Sequence, residues 1–157
     1  MQKTSDSTKI TIKIPTHAYF ASGIRDFTVK MIKNMTSFSE KWAYRFQAIV
    51  DELCNNAIEH GSEEGAEIII TFICQEKESI TVIVEDSGKI DSKKSAAEME
   101  TYLREQKHKQ LTIKNFSFRG RGLTQIVSSW TDSLEFFDRE NGGLKIKITK
   151  SLDSDDI

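Results

Sequence analysis

Ile10, Ile12 and Ile14 alternate with Thr11 and Lys13, the period of a half-buried strand that Pro15 ends. Phe20, Ile24, Phe27, Met31 and Met35 then recur at helical spacing and predict an amphipathic helix over about 17–35. Ser37, followed three positions later by Glu40, is a capping-box signal. It predicts a second helix running to His60, with Gly61 as a left-handed residue just past its end. Two strands follow, Glu67–Cys74 and Ile80–Val84, joined by a polar hairpin over Gln75–Ser79. The nearly unbroken Ile and Val of the second predict a central strand buried on both faces.

The polar stretch over about 91–119 interrupts this pattern and predicts a lid or binding loop, with a short helix near 93–104 carrying Ala96, Met99 and Leu103. Leu123, Ile126, Val127 and Trp130 then share one helical face. Leu134 and Phe136 mark a strand, Asn141-Gly142-Gly143 a hairpin turn, and Leu144, Ile146 and Ile148 a last alternating strand. The ends, before residue 9 and from Ser151, are expected to fray, leaving an ordered core over about 9–150. This order predicts one α+β domain spanning 1–157, a two-layer sandwich with helices on one face of a mixed, mainly antiparallel sheet.

A length of 157 residues suits one domain with a substantial core. A formal net charge of −2 argues against general nucleic-acid binding, which wants a basic face. The polar N-terminus predicts no leader, and no apolar run approaches a membrane span. Cys54 and Cys74 lack metal-ligand spacing and read as small core residues of a reduced, cytoplasmic protein.

The second helix carries the candidate chemistry. At about 100° per residue, with Glu52 at zero, Asn56 falls near 40° and His60 near 80°. The apolar stripe of Trp42, Phe46, Ile49, Leu53 and Ala57 lies between about 60° and 140° on the same wheel. Glu52, Asn56 and His60 thus form a polar row running into the edge of the core stripe, where polar groups need partners. Asp51, Asn55 and Glu59 read as solvated helix positions. Two further features join the row. Asp86 and Gly88 follow the buried strand, where a carboxylate can accept from a purine amine and a glycine admits close approach. Gly120-Arg121-Gly122 opens a helix, whose free N–H groups suit phosphate. Asn56 supplies a hard oxygen suited to magnesium. Together they describe a nucleotide site.

The order Glu52-x-x-x-Asn56-Ala57-x-x-His60-Gly61, then Asp86-x-Gly88, then Gly120-x-Gly122-Leu123 resembles the N, G1 and G2 boxes of the Bergerat-fold (GHKL) ATPases. The matching spans run from Ile10 to about Lys150. Within that superfamily the chain looks like the stand-alone anti-sigma factor serine/threonine kinases, whose N box sets Glu one turn before Asn. The resemblance implies ATP and Mg2+ as cofactors. It makes Asn56 the magnesium ligand and Asp86 the adenine reader. Gly120 and Gly122 would cradle phosphate, with Arg119 or Arg121 near the γ-phosphate, and His60, Gly88 and Leu123 would belong to the same nucleotide site. Glu52 would be the general base for a partner's serine or threonine hydroxyl. The implied partners are a sigma factor and a small anti-sigma antagonist, and a homodimer is expected. A module that sequesters a partner without phosphorylating it, or a detached histidine-kinase catalytic domain, would carry the same boxes. Two departures stand out. Gly88 is followed by Lys89-Ile90-Asp91 where the family usually has a second Gly. Gly143-Leu144 stands where many members carry Gly-Thr, which implies one contact fewer on the adenine side.

Overall fold

The computed structural model describes residues 6–75, 79–88, 96–109 and 127–153. Five strands form one sheet: β1 (Ser7–Pro15), β2 (Glu67–Gln75), β3 (Ser79–Glu85), β4 (Ser133–Asp138) and β5 (Leu144–Ser151), in the order β1-β2-β3-β5-β4. Among the described residues the four strand pairings are antiparallel, and a single parallel bridge joins Ser62 and Gly88. Register explains the alternation. Ile12, Ile70, Val84, Ile146 and Phe136 stand in one row across the sheet, and Ile10, Phe72, Val82, Ile148 and Leu134 in another. These rows share a face because side chains alternate with period two. β3 is central, as its composition predicts, but it is not covered on both sides. Ile80, Val82 and Val84 are buried, while Thr81 and Ile83 are only half-buried, since the second layer of helices covers one face.

That layer is α1 (Ala21–Met35) and α2 (Glu40–Asn56), which pack on each other and on the sheet. Phe27 of α1 meets Phe72 of β2 at a ring separation of 5.5 Å. A 3-10 turn, Ala18–Phe20, precedes α1 in place of continuous helix from 17. The buried stripe of α1 is Ala21, Ile24, Thr28, Met31 and Ile32, so Phe20 and Met35 at the ends of the predicted stripe are exposed. α2 starts two residues later than the capping-box signal suggests. Ser39 is the N-cap, accepting from Trp42 N at 3.4 Å. The reason is Phe38, which is buried against Trp42 and Phe46 at 6.0 and 5.3 Å between rings. Burying a side chain of that size is worth about 1.5–3 kcal/mol. That exceeds the advantage of one N-cap position over another, typically about 1 kcal/mol.

α3 (Ala96–Lys109) is longer than the short helix expected there, and docks on β4 through a 2.7 Å bond from Ala96 N to Asp138 Oδ1 and through buried Met99. The described residues near each end, from Ser7 and up to Leu152, are better held than their polarity suggests. β1 begins at Ser7 because its ladder with β2 extends to Gln75. Ser151 N donates to Asp132 Oδ2 at 2.6 Å, and Leu152 packs against the core. Among the described residues no helix is long and apolar enough to cross a membrane.

Candidate functional site

α2 does not end as a simple α-helix. From Ala57 to Gly61 the chain widens into a π-turn, and the Ala57 N–H is shared between the carbonyls of Leu53 and Cys54. Such widened turns recur at functional sites. The wheel that aligned His60 with Glu52 and Asn56 assumes an uninterrupted α-helix, so it stops at Asn56. The His60 backbone lies in the π-turn, and its side chain is outside the described set. Gly61 is not left-handed, contrary to the capping expectation; among the described residues the left-handed glycines are Gly65, Gly88 and Gly142. Gly61 is required for another reason. A Cβ there would collide with the Asp86 carboxylate.

The next residue ties the helix end to the end of β3. Ser62, almost fully buried, accepts from Ser87 N at 2.8 Å, and Ser87 Oγ donates to Glu67 O at 2.7 Å. Two motifs about 25 residues apart in sequence therefore meet at one place.

Asp86 is the centre of that place, with 4% of its surface exposed. Its Oδ1 accepts from Gly88 N at 3.0 Å and from Leu144 N at 2.9 Å. Its own N–H donates to Leu144 O at 3.0 Å, and Arg139 Nη1 donates to its carbonyl oxygen. Glycines make room around it. Gly88 has a φ of +79°, and a Cβ there would lie 2.6 Å from Gly142 O. A Cβ on Gly143 would meet the Asp86 carbonyl. Burial pushes the Asp86 carboxyl above the usual range, opposed by the Leu144 and Gly88 N–H groups and by the charge of Arg139. Leu144 replaces no backbone contact, since its N–H holds Asp86 whatever its side chain, which is buried in the core.

On α2, Glu52 and Asn56 are both half-buried, as their position at the stripe edge requires. Burial raises the Glu52 pKa above the glutamate range, helped by the negative charges of Asp51 and Glu59. Asp51 pairs with Arg25 of α1 at 3.6 Å. The structure thus brings Asp86 and Gly88 against the end of the helix that carries Glu52 and Asn56. Arg119, Gly120, Arg121, Gly122 and Leu123 lie outside the described residues, as does most of the predicted lid.

Ser62, Arg139 and the Gly61 contact are absent from the sequence reading, which named Gly143 only in a hairpin turn and in the Gly143-Leu144 departure. They act through contacts between segments distant in the chain.

Chemically, Asp86 offers a carboxylate acceptor that Gly61, Gly88 and Gly143 allow the surrounding backbone to approach closely, and such an acceptor suits a ligand amine. Gly61→Ala is expected to destabilise the fold by about 1–3 kcal/mol, the range for overpacking, and to displace the Asp86 carboxylate. Urea unfolding measures the first effect. A variant as stable as the parent would show that the contact yields freely.

Residues 15–150 match the family model of the histidine kinase-like ATPase domain. No curated protein matches the chain. With the match covering most of the sequence and the five-stranded α+β sandwich in place, the chain belongs to the histidine kinase-like ATPase domain family, a GHKL-type ATP-binding domain.

Proposed function

We propose that the protein is a cytoplasmic, magnesium- and ATP-dependent serine/threonine kinase of a partner-switching pathway. Its substrate would be a small anti-sigma antagonist, and its other partner a sigma factor. The observation that carries this reading is Glu52: a half-buried carboxylate with a raised pKa, one helical turn before Asn56. A base whose pKa lies closer to the working pH takes a hydroxyl proton more effectively.

In the proposed reaction Asp86 accepts from the adenine amine and Gly88 admits the ring. Asn56 would contribute an oxygen to magnesium, which would neutralise phosphate charge when bound. His60 would flank the phosphates. Gly120, Gly122 and Leu123 would present backbone N–H groups to them, with Arg119 or Arg121 at the γ-phosphate. Glu52 takes the proton of the partner's hydroxyl. The hydroxyl oxygen forms a bond to the γ-phosphorus while the bond to the β–γ bridging oxygen breaks, and that oxygen leaves with ADP. Phosphoryl transfer depends mainly on positioning and charge neutralisation, so one carboxylate and a metal-held nucleotide suffice. A homodimer is part of this proposal.

The sequestering module is the second reading, favoured by Lys89-Ile90-Asp91 where a second G1 glycine is usual. Transfer of labelled γ-phosphate to an antagonist encoded nearby distinguishes the two. Tight binding without transfer selects the module.

Asn56→Ala is expected to weaken ATP binding in the presence of magnesium and to change it little in its absence. Titration calorimetry with and without the metal measures this, and an equal loss in both arms would remove Asn56 as the metal ligand. Nucleotide is also expected to slow hydrogen exchange across α3, the described part of the predicted lid. Unchanged, strong protection with and without ATP would make α3 a rigid structural element.

A further inference from the structure

Arg139 lies in the turn between β4 and β5, and no motif in the sequence points to it. Its backbone closes that turn: its N–H donates to Gly143 O at 2.8 Å, and its carbonyl accepts from Gly142 N at 3.0 Å. Its side chain crosses to the end of β3. There Nη1 donates to the Asp86 carbonyl, and Nε lies 3.7 Å from Glu85 Oε1. The side chain is only 22% exposed. A planar guanidinium held at two points fixes orientation as well as distance. The two peptide groups that flank Asp86 are therefore both held, the one before it by the Leu144 carbonyl and the one after it by Arg139.

We propose that Arg139 is the positioning residue for purine recognition, holding the Asp86 backbone so that its carboxylate meets the ring's exocyclic amine. This rests on the reading of Asp86 as the adenine acceptor. The charge of Arg139 opposes the effect of burial on that carboxylate, after the Leu144 and Gly88 N–H groups. Removing it leaves Asp86 easier to protonate, and a protonated carboxyl loses an acceptor site.

Other charges surround the site. Glu85 pairs with Arg139, and Lys145 of β5 stands opposite Glu85. Glu140 is in the same turn, and the π-turn carries Glu59 and His60. A raw pH profile of ATP binding would mix these groups with the phosphates. The ratio of affinities for ATP and for purine riboside triphosphate, which lacks only the amine, cancels what both ligands share.

The experiment measures that ratio by calorimetry across pH for the parent, Arg139→Gln, Arg139→Lys, Arg139→Ala and Asp86→Asn, with thermal unfolding in parallel. The parent should prefer ATP, and the preference should fall as Asp86 is protonated. Arg139→Gln and Arg139→Ala should show a preference about tenfold smaller at neutral pH, the scale of one weakened bond to a charged group. Their acid-side midpoint should move to higher pH, and Arg139→Lys should restore it by returning the charge. If Arg139→Ala fails to fold, the Gln and Lys variants read the same contrast. Parental preference and midpoint in Arg139→Gln, with preference lost in Asp86→Asn, would overturn the role of Arg139 alone. Full preference in Asp86→Asn would overturn the adenine reading beneath it.

Discussion

Glu52→Gln is expected to bind ATP and its partner as the parent does while phosphate transfer falls by about 10²–10⁴-fold, the range for losing a general base. Glutamine keeps the size of the side chain and its hydrogen-bonding capacity but cannot take a proton. The change lies on the half-buried edge of α2, so its effect on folding is expected to be small. Transfer should also rise with pH through a value above the ordinary glutamate range, because burial and the nearby Asp51 and Glu59 charges keep Glu52 protonated longer. The same shift has a consequence for stability, with a defined sign. A carboxyl whose folded pKa is raised contributes fully below its unfolded value, and that contribution is lost as pH rises through the folded one. Full transfer by the Gln variant, with affinity measured alongside, would reject Glu52 as the base.

The second large effect is expected at Asp86. Asp86→Asn can keep the bonds from Gly88 and Leu144 through its carbonyl oxygen. Its amide group then stands where the second carboxylate oxygen was, near Gly61. Toward a purine amine it presents a donor to a donor. A bond to a charged group is worth about 1.5–3 kcal/mol, so ATP affinity should fall by about 10²-fold at neutral pH. Stability should move the other way. The parent's folded state is penalised once its buried carboxyl ionises, a cost that Asn does not carry. Relative to the parent, the variant should therefore gain stability as pH rises through the elevated Asp86 value, with no such gain below the ordinary aspartate range. Denaturant unfolding across pH and calorimetry with ATP test both halves. Unchanged affinity would remove Asp86 from adenine recognition.

Hydrophobic period placed β1, β5 and α2, because the apolar alternation of the two strands and the stripe of the helix are local records of one-sided burial. It also determined that β3 is central, and that Glu52 and Asn56 sit at the edge of a core stripe. The ordered motifs made the family legible, since each keeps its own residues within a few positions. What the sequence could not hold is which distant segments touch. The start of α2 was settled by Phe38 packing on Trp42 and Phe46, a tertiary gain that overrode a local cap. The last turn of that helix widened, ending the α-helical wheel before His60. Gly61 proved necessary for the space it leaves to Asp86 and not for its backbone angle. Arg139, more than fifty residues from Asp86, holds that residue's peptide only because the order β3-β5-β4 brings the β4–β5 turn beside the end of β3. Local patterns record each segment's own burial; sheet order and close approach depend on pairs of segments, so only the folded chain decides them.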